Sequence, residues 1–158
     1  MRDGIEIARG LQVHKARKAM GLSQNAAARL AGISQPNLSA IENGARQCTD
    51  KFVDEFRRRI EYRPSKALER FASQAVQCLV GRPFSNLGVF GSVAQGQDGP
   101  DSDLDLVVDF EQTATLRDQA DLVAVLQSIF GVHVDLVGYR TLRILGKKAP
   151  IESLLVAA

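Results

Sequence analysis

From Glu6 to Met20 the apolar positions Ile7, Leu11, Ala16, Ala19 and Met20 fall at helical spacing, and Gly21 ends the run. Ser23 then offers an N-cap for a short helix, Gln24 to Ala31, closed by Gly32. Ser34 caps a third helix, with Pro36 tolerated in its first turn, and Asn43-Gly44 ends it. Thr49 or Asp50 opens a fourth, Lys51 to Arg59, that buries Phe52, Val53, Phe56 and Ile60. Glu61-Tyr62-Arg63-Pro64 breaks the helical pattern, because a residue before proline is pushed out of the α region. A domain boundary is expected there, dividing residues 1–61 from 62–158.

Ser65 to Val80 reads as another amphipathic helix, with Ala67, Leu68, Phe71, Ala75 and Leu79 on one face and Gly81 at its end. The pattern then changes. Leu87-Gly88-Val89-Phe90 is a short buried strand running into Gly91-Ser92. Leu104 to Phe110 alternates apolar and acidic residues, the period of a strand. Thr115 to Phe130 returns to helical spacing through Leu116, Val123, Leu126 and Phe130, and Val132 to Val137 alternates again. The tail from Thr141 is predicted helical, interrupted near Pro150. The expected fold class is two-domain, α plus α/β: an all-α first domain and a small α/β second.

Composition narrows the function classes. With 45% apolar and 24% charged residues in 158, the chain has the balance of a globular protein. No apolar stretch approaches the roughly 18–20 residues of a membrane helix. The start MRDGIEIARGLQ is charged from its second residue and has no apolar signal core. Cys48 and Cys78 lack metal-ligand spacing, and neither His14 nor His133 neighbours them, which excludes a disulfide framework and a structural zinc site. A cytoplasmic location with no membrane association is expected. Through residue 60, eleven Lys and Arg face six acids, whereas the remainder carries nine bases and twelve acids. That asymmetry points to a polyanion partner for the first part and to cations held by the second.

In GLSQNAAARLAGISQPNLSAIENG, two short helices are joined by a turn containing Gly32, the helix-turn-helix layout whose second helix enters the major groove. Ala28 is small where the helices cross, and Leu22, Leu30, Ile33, Leu38 and Ile41 are expected to form the core. Gln35 and Asn37 suit base reading, because carboxamides make bidentate contacts with adenine. Over residues 5–60 the segment closely resembles the XRE class, the phage-repressor/Cro type of lambda-repressor-like helix-turn-helix domains. The resemblance implies that Gln24 bonds a phosphate and that Gln35, Pro36, Asn37 and Ala40 face base edges. It also implies that Asn43 helps to grip the backbone and that Arg17 and Glu42 form a structural ion pair. Pro36 and Ala40 depart from the polar residues more usual there. Readers of this kind usually bind double-stranded operator DNA as dimers, so a homodimer is expected.

The second part carries VFGSVAQGQDGPDSDLDLVVDF. Gly91-Ser92 after a strand frees backbone N–H groups for an anion such as a triphosphate. Asp103 and Asp105 stand at i and i+2 on a strand, so both project from one face beside that turn, which suits Mg²⁺. Asp135 is a third acid, isolated in an apolar strand and in need of a cation. From about Arg63 onward this pattern resembles the polymerase-β nucleotidyltransferase superfamily, in its minimal nucleotidyltransferase branch. The resemblance implies that Asp103, Asp105 and Asp135 hold two Mg²⁺ ions and are catalytic. It also implies that Gly91 and Ser92 hold nucleotide phosphates, and that ATP is the substrate. Gln95 departs from the family, whose close members carry arginine there; Arg143, Lys147 or Lys148 would have to compensate. Asp98, Asp101 and Asp109 read as turn-forming or solvated. Ser102 reads as locally bonded and His133 as structural, although it shares the strand face of Asp135.

Members of the minimal branch often act as antitoxins that transfer AMP to a HEPN-type toxin encoded by a neighbouring gene. The resemblance therefore implies a DNA-binding, antitoxin-like transcriptional regulator with Mg²⁺-dependent transferase activity on a partner protein. The alternatives are a non-catalytic transcriptional regulator whose second domain senses nucleotide or dimerises, and a transferase acting on a small molecule.

Overall fold

The computed structural model describes residues 4–146 and 152–153. Five helices come first: α1 (Gly4–Ala19), α2 (Gln24–Ala31), α3 (Gln35–Glu42), α4 (Asp50–Arg59) and α5 (Pro64–Gln77). There follow β1 (Phe84–Val89), the single turn α6 (Gly91–Ala94), β2 (Leu104–Phe110), α7 (Leu116–Phe130), β3 (Val134–Gly138), α8 (Tyr139–Ile144) and β4 (Glu152–Ser153). The chain is thus a helical helix-turn-helix region followed by a small α/β domain.

The helix boundaries are set by side chains that satisfy otherwise orphaned backbone donors. Ser23 accepts from the Ala26 N–H at 3.1 Å, and Thr49 accepts from Phe52 at 3.1 Å. Thr115 and Asp118 form a reciprocal capping box at the start of α7. At the α1/α3 crossing, Gly10 lies directly on the Ile41 carbonyl, where a Cβ has no room. A helix-interior glycine costs roughly 0.5–1 kcal/mol relative to alanine, a cost accepted here for the close approach.

The sheet order is β3-β2-β1-β4, with β2 parallel to β3 and β1 antiparallel to both its neighbours. Leu104, Leu106 and Val108 point to the side covered by Leu122 and Leu126 of α7. On the opposite side Val107 packs with Phe90 and with Leu142 of α8. The main core is continuous through both parts of the chain, from Val13 and Leu38 through Phe56 and Tyr62 to Phe130. Tyr62 is fully buried, and its hydroxyl donates to the Phe130 carbonyl. Burial pushes its phenol well above the usual range. Tyr62→Phe is therefore expected to cost about 1–3 kcal/mol, because the carbonyl loses its partner inside the core. Urea unfolding of the two proteins at pH 7 measures it, and equal midpoints would contradict the assignment.

Several expectations are corrected. Leu30 is 49% exposed and Leu11 43%; on α2 the buried positions are Ala27 and Ala28 instead. Leu116, at 86% exposed, precedes the first turn of α7 that meets the sheet. The first strand begins at Phe84 rather than Leu87. A register irregularity between Ser85 and Gly88, with Asn86 at φ +54°, hides the alternation there. The tail helix starts at Tyr139 and stops at Ile144, and Glu152–Ser153 forms a strand on β1 instead of continuing a helix. Pro150, Lys147 and Lys148 lie outside the described residues. Asp98 is buried, not solvated. Its Oδ2 accepts from the Ser65 N–H at 2.8 Å, capping α5 from a distant loop where Arg63 provides no side-chain cap.

Candidate functional site

In the helix-turn-helix region, behind the N-cap Ser34, α3 buries Leu38 and Ile41 and carries Pro36 exposed and Gln35, Asn37 and Ala40 half-buried. Their support comes from a bonded chain of side chains that begins in α1. The Arg17 guanidinium grips Glu42 twice, Nε to Oε1 at 2.6 Å and Nη2 to Oε2 at 2.9 Å. His14 Nδ1 is 3.0 Å from the same Oε2. Gln24 donates to Glu42 at 3.1 Å and accepts from Gln35 at 2.7 Å, so it links the ion pair to the first residue of the recognition helix. Asn37 accepts from Arg46 Nη1 at 2.7 Å. Asn43 turns its oxygen onto the Ala45 N–H at 2.9 Å. Arg46, exposed in the turn after α3, adds a cation that sequence spacing alone did not single out.

In the α/β part, the parallel ladder sets Asp105 opposite Asp135 and Leu104 opposite Val134. Alternation then leaves the acids on the face away from α7. Asp103 and Asp135 come together with His133, each offering a ligand atom within 4.8 Å of the others, and all three are exposed. His133 Nδ1 is 3.3 Å from Asp103 Oδ1. Asp105 is not in that trio. Its half-buried carboxylate packs against Gly91, which adopts φ +71°, and a Cβ at position 91 would fall on that carboxylate. The Phe90 N–H donates to the Asp105 carbonyl at 3.0 Å, so the turn carrying Gly91 and Ser92 is tied to the acid strand. Two carboxylates and an imidazole converging at an open surface fit a divalent cation, since bare like charges so placed repel each other.

The neighbouring acids have structural partners. Asp101 pairs with Arg58 at 2.7 Å, and Asp109 accepts from Asn86 at 2.8 Å. Ser102 Oγ accepts from the Gly99 N–H at 2.9 Å. Gln95 and Arg143 are both exposed. The helical region borders the acid cluster: a cleft of about 260 Å³ is lined by Asp54 and Arg57 of α4 together with Asp101, Ser102, Asp103 and His133. A second cavity of about 410 Å³, between α1 and α7, shares Arg57 and His133 with it and contains Lys15. Burial lowers the Lys15 ammonium pKa. Sequence spacing cannot reveal this wall, which is made by residues far apart in the chain. Among the described residues, no helix is long and apolar enough to cross a membrane.

The nucleotidyltransferase-domain family matches residues 73–157, and the helix-turn-helix family matches residues 13–53. Over 51 residues the chain is 43% identical to the protein adenylyltransferase MntA of Thermococcus cleftensis, an alignment covering 32% of this chain. The chain spans about half the length of that curated relative, 52%. A solved structure described as a proposed minimal nucleotidyltransferase is 33% identical, covering 54% of this chain and 93% of its own, with a TM-score of 0.47. The chain belongs to the nucleotidyltransferase-domain family and joins that domain to an N-terminal helix-turn-helix.

Proposed function

We propose that the chain is an antitoxin-like transcriptional regulator, divided at residues 61/62, whose second domain transfers AMP from ATP to a partner protein of the HEPN type. The observation that carries this reading is the convergence of Asp103 and Asp135 on one open face, beside a turn where Gly91 packs against Asp105. Asp103, Asp105 and Asp135 would hold two Mg²⁺ ions, which neutralise phosphate charge and lower the pKa of a bound hydroxyl. Gly91 and Ser92 orient the triphosphate through backbone and hydroxyl donors. The Asp135 carboxylate takes the proton of the acceptor hydroxyl as its oxygen bonds to the α-phosphorus and pyrophosphate leaves. The half-length match to an adenylyltransferase supports AMP as the transferred group and a protein as the acceptor.

The intact mass of the neighbouring gene's product, after incubation with this protein, ATP and Mg²⁺, is expected to rise by whole AMP units. An unchanged mass alongside tight operator binding would favour the non-catalytic regulator, with Gln95 as the first residue to restore to arginine.

The helix-turn-helix is proposed to read an operator as a homodimer. Gln35 and Asn37 would contact bases, with Pro36 and Ala40 beside them in the groove, while Gln24 and Asn43 position the backbone. Gln35→Ala/Asn37→Ala is expected to lower the preference for operator over random DNA by about 30-fold or more, since two good bidentate contacts at roughly 1–3 kcal/mol each are lost. Competition binding at fixed salt measures it. Retained discrimination would remove these two residues from the interface.

A further inference from the structure

We infer that His133 is a metal ligand, and that its imidazole makes the site select a first-row transition ion such as Mn²⁺ over Mg²⁺. The inference rests on the proposed metal-dependent site and adds a residue that its three carboxylates do not include.

Three observations lead to it. First, the imidazole is part of the cluster itself, with Nδ1 at 3.3 Å from Asp103 Oδ1 and Asp135 within the same 4.8 Å group. Two ligands at right angles on an ion, each about 2.1 Å from it, stand roughly 3.0 Å apart, so this separation suits a shared ion. Second, the backbone carrying His133 is held on both sides. Its carbonyl accepts from the Leu104 N–H at 2.9 Å, and the Val134 N–H donates to Gln127 Oε1 at 3.2 Å. The two residues before Val132 are fixed from the helical region, Phe130 by Tyr62 and Gly131 by Arg57. A backbone pinned this way fixes the direction in which the side chain leaves it, towards the acids. Third, the imidazole is not a packing residue: its side chain is 63% exposed and faces the clefts shared with Arg57.

The donor set decides the preference. Carboxylates alone suit Mg²⁺, Ca²⁺ and Mn²⁺, whereas an imidazole nitrogen favours first-row transition ions, and Mg²⁺ has little affinity for nitrogen. Replacing an all-oxygen set by one with nitrogen therefore strengthens Mn²⁺ binding without strengthening Mg²⁺ binding.

The test uses the full chain with Mn²⁺ alone, bound fraction being read from the electron paramagnetic resonance of free Mn²⁺ and Mg²⁺ affinity from competition. Electron spin-echo modulation of the bound Mn²⁺ reports whether a nitrogen is coordinated. The expected result is nitrogen modulation in the wild type, its loss in His133→Asn, and about tenfold weaker Mn²⁺ binding in that variant with Mg²⁺ affinity within twofold. His14→Asn, altering the other histidine, is expected to keep the modulation. Bound Mn²⁺ without nitrogen modulation, or modulation and affinity unchanged in His133→Asn, overturns the assignment while leaving the carboxylate site standing. If the wild type binds neither ion, both the inference and the metal-dependent reading fall.

Discussion

Replacing Asp103 and Asp105 together by asparagine is expected to lower nucleotidyl transfer by on the order of 10³-fold or more, the scale of removing preorganised electrostatic stabilisation from a reacting phosphate. Asparagine preserves the shape of each side chain but removes the two negative charges that a hard cation requires. The fold should survive. Asp103 is exposed and Asp105 only half-buried, and exposed substitutions usually change stability by less than about 0.5 kcal/mol. The measurement is the rate of AMP incorporation into the partner, with a thermal melt run in parallel. Undiminished transfer would show that these acids are not the catalytic pair. A fall in both rate and melting temperature would instead place Asp105 in the scaffold of the Gly91 turn.

Local chemistry was readable in the sequence, and long-range placement only partly so. Ser23, Ser34 and Thr49 cap the helices expected of them, since an N-cap depends on residues two or three positions away. Period-two alternation correctly buried Leu104 and Leu106 and left Asp103 and Asp105 less covered, although the strand starts at Leu104 and Asp103 stands just before it. The approach of His133 to Asp103 depends on which strands pair and in what register, which no local pattern encodes. Asp98 was misread for the same reason: its partner, the Ser65 N–H, lies 33 residues away. Leu30 and Leu116 show the converse error. Helical spacing marks a face as apolar, but not how far along the helix the neighbouring element covers it.

Arg17→Ala is expected to cost about 3–5 kcal/mol at pH 7, the usual penalty for leaving one partner of a buried ion pair uncompensated. The side chains of Arg17 and Glu42 are 8% and 4% exposed, so water cannot replace the lost guanidinium. Burial by itself would raise the Glu42 carboxyl, but hydrogen bonds from Arg17, His14 and Gln24, with the charge of Arg17, lower it overall. Its folded pKa therefore lies below the unfolded one. The stability it contributes is present at neutral pH and is lost as pH falls through the carboxylate range. In Arg17→Ala only His14 and Gln24 remain to offset burial, so the folded pKa of Glu42 rises from its wild-type position and the deficit should shrink as acid protonates Glu42. Urea unfolding at neutral and acidic pH checks both statements. A neutral-pH deficit under about 0.5 kcal/mol, typical of a surface change, would refute the buried-pair account. Arg17→Met/Glu42→Leu should recover most of the stability, because apolar replacement of a whole buried pair is often neutral. Operator binding should not recover with it. Gln24 is held by Glu42 and in turn holds Gln35, so losing the carboxylate frees the first residue of the recognition helix even where the fold is restored.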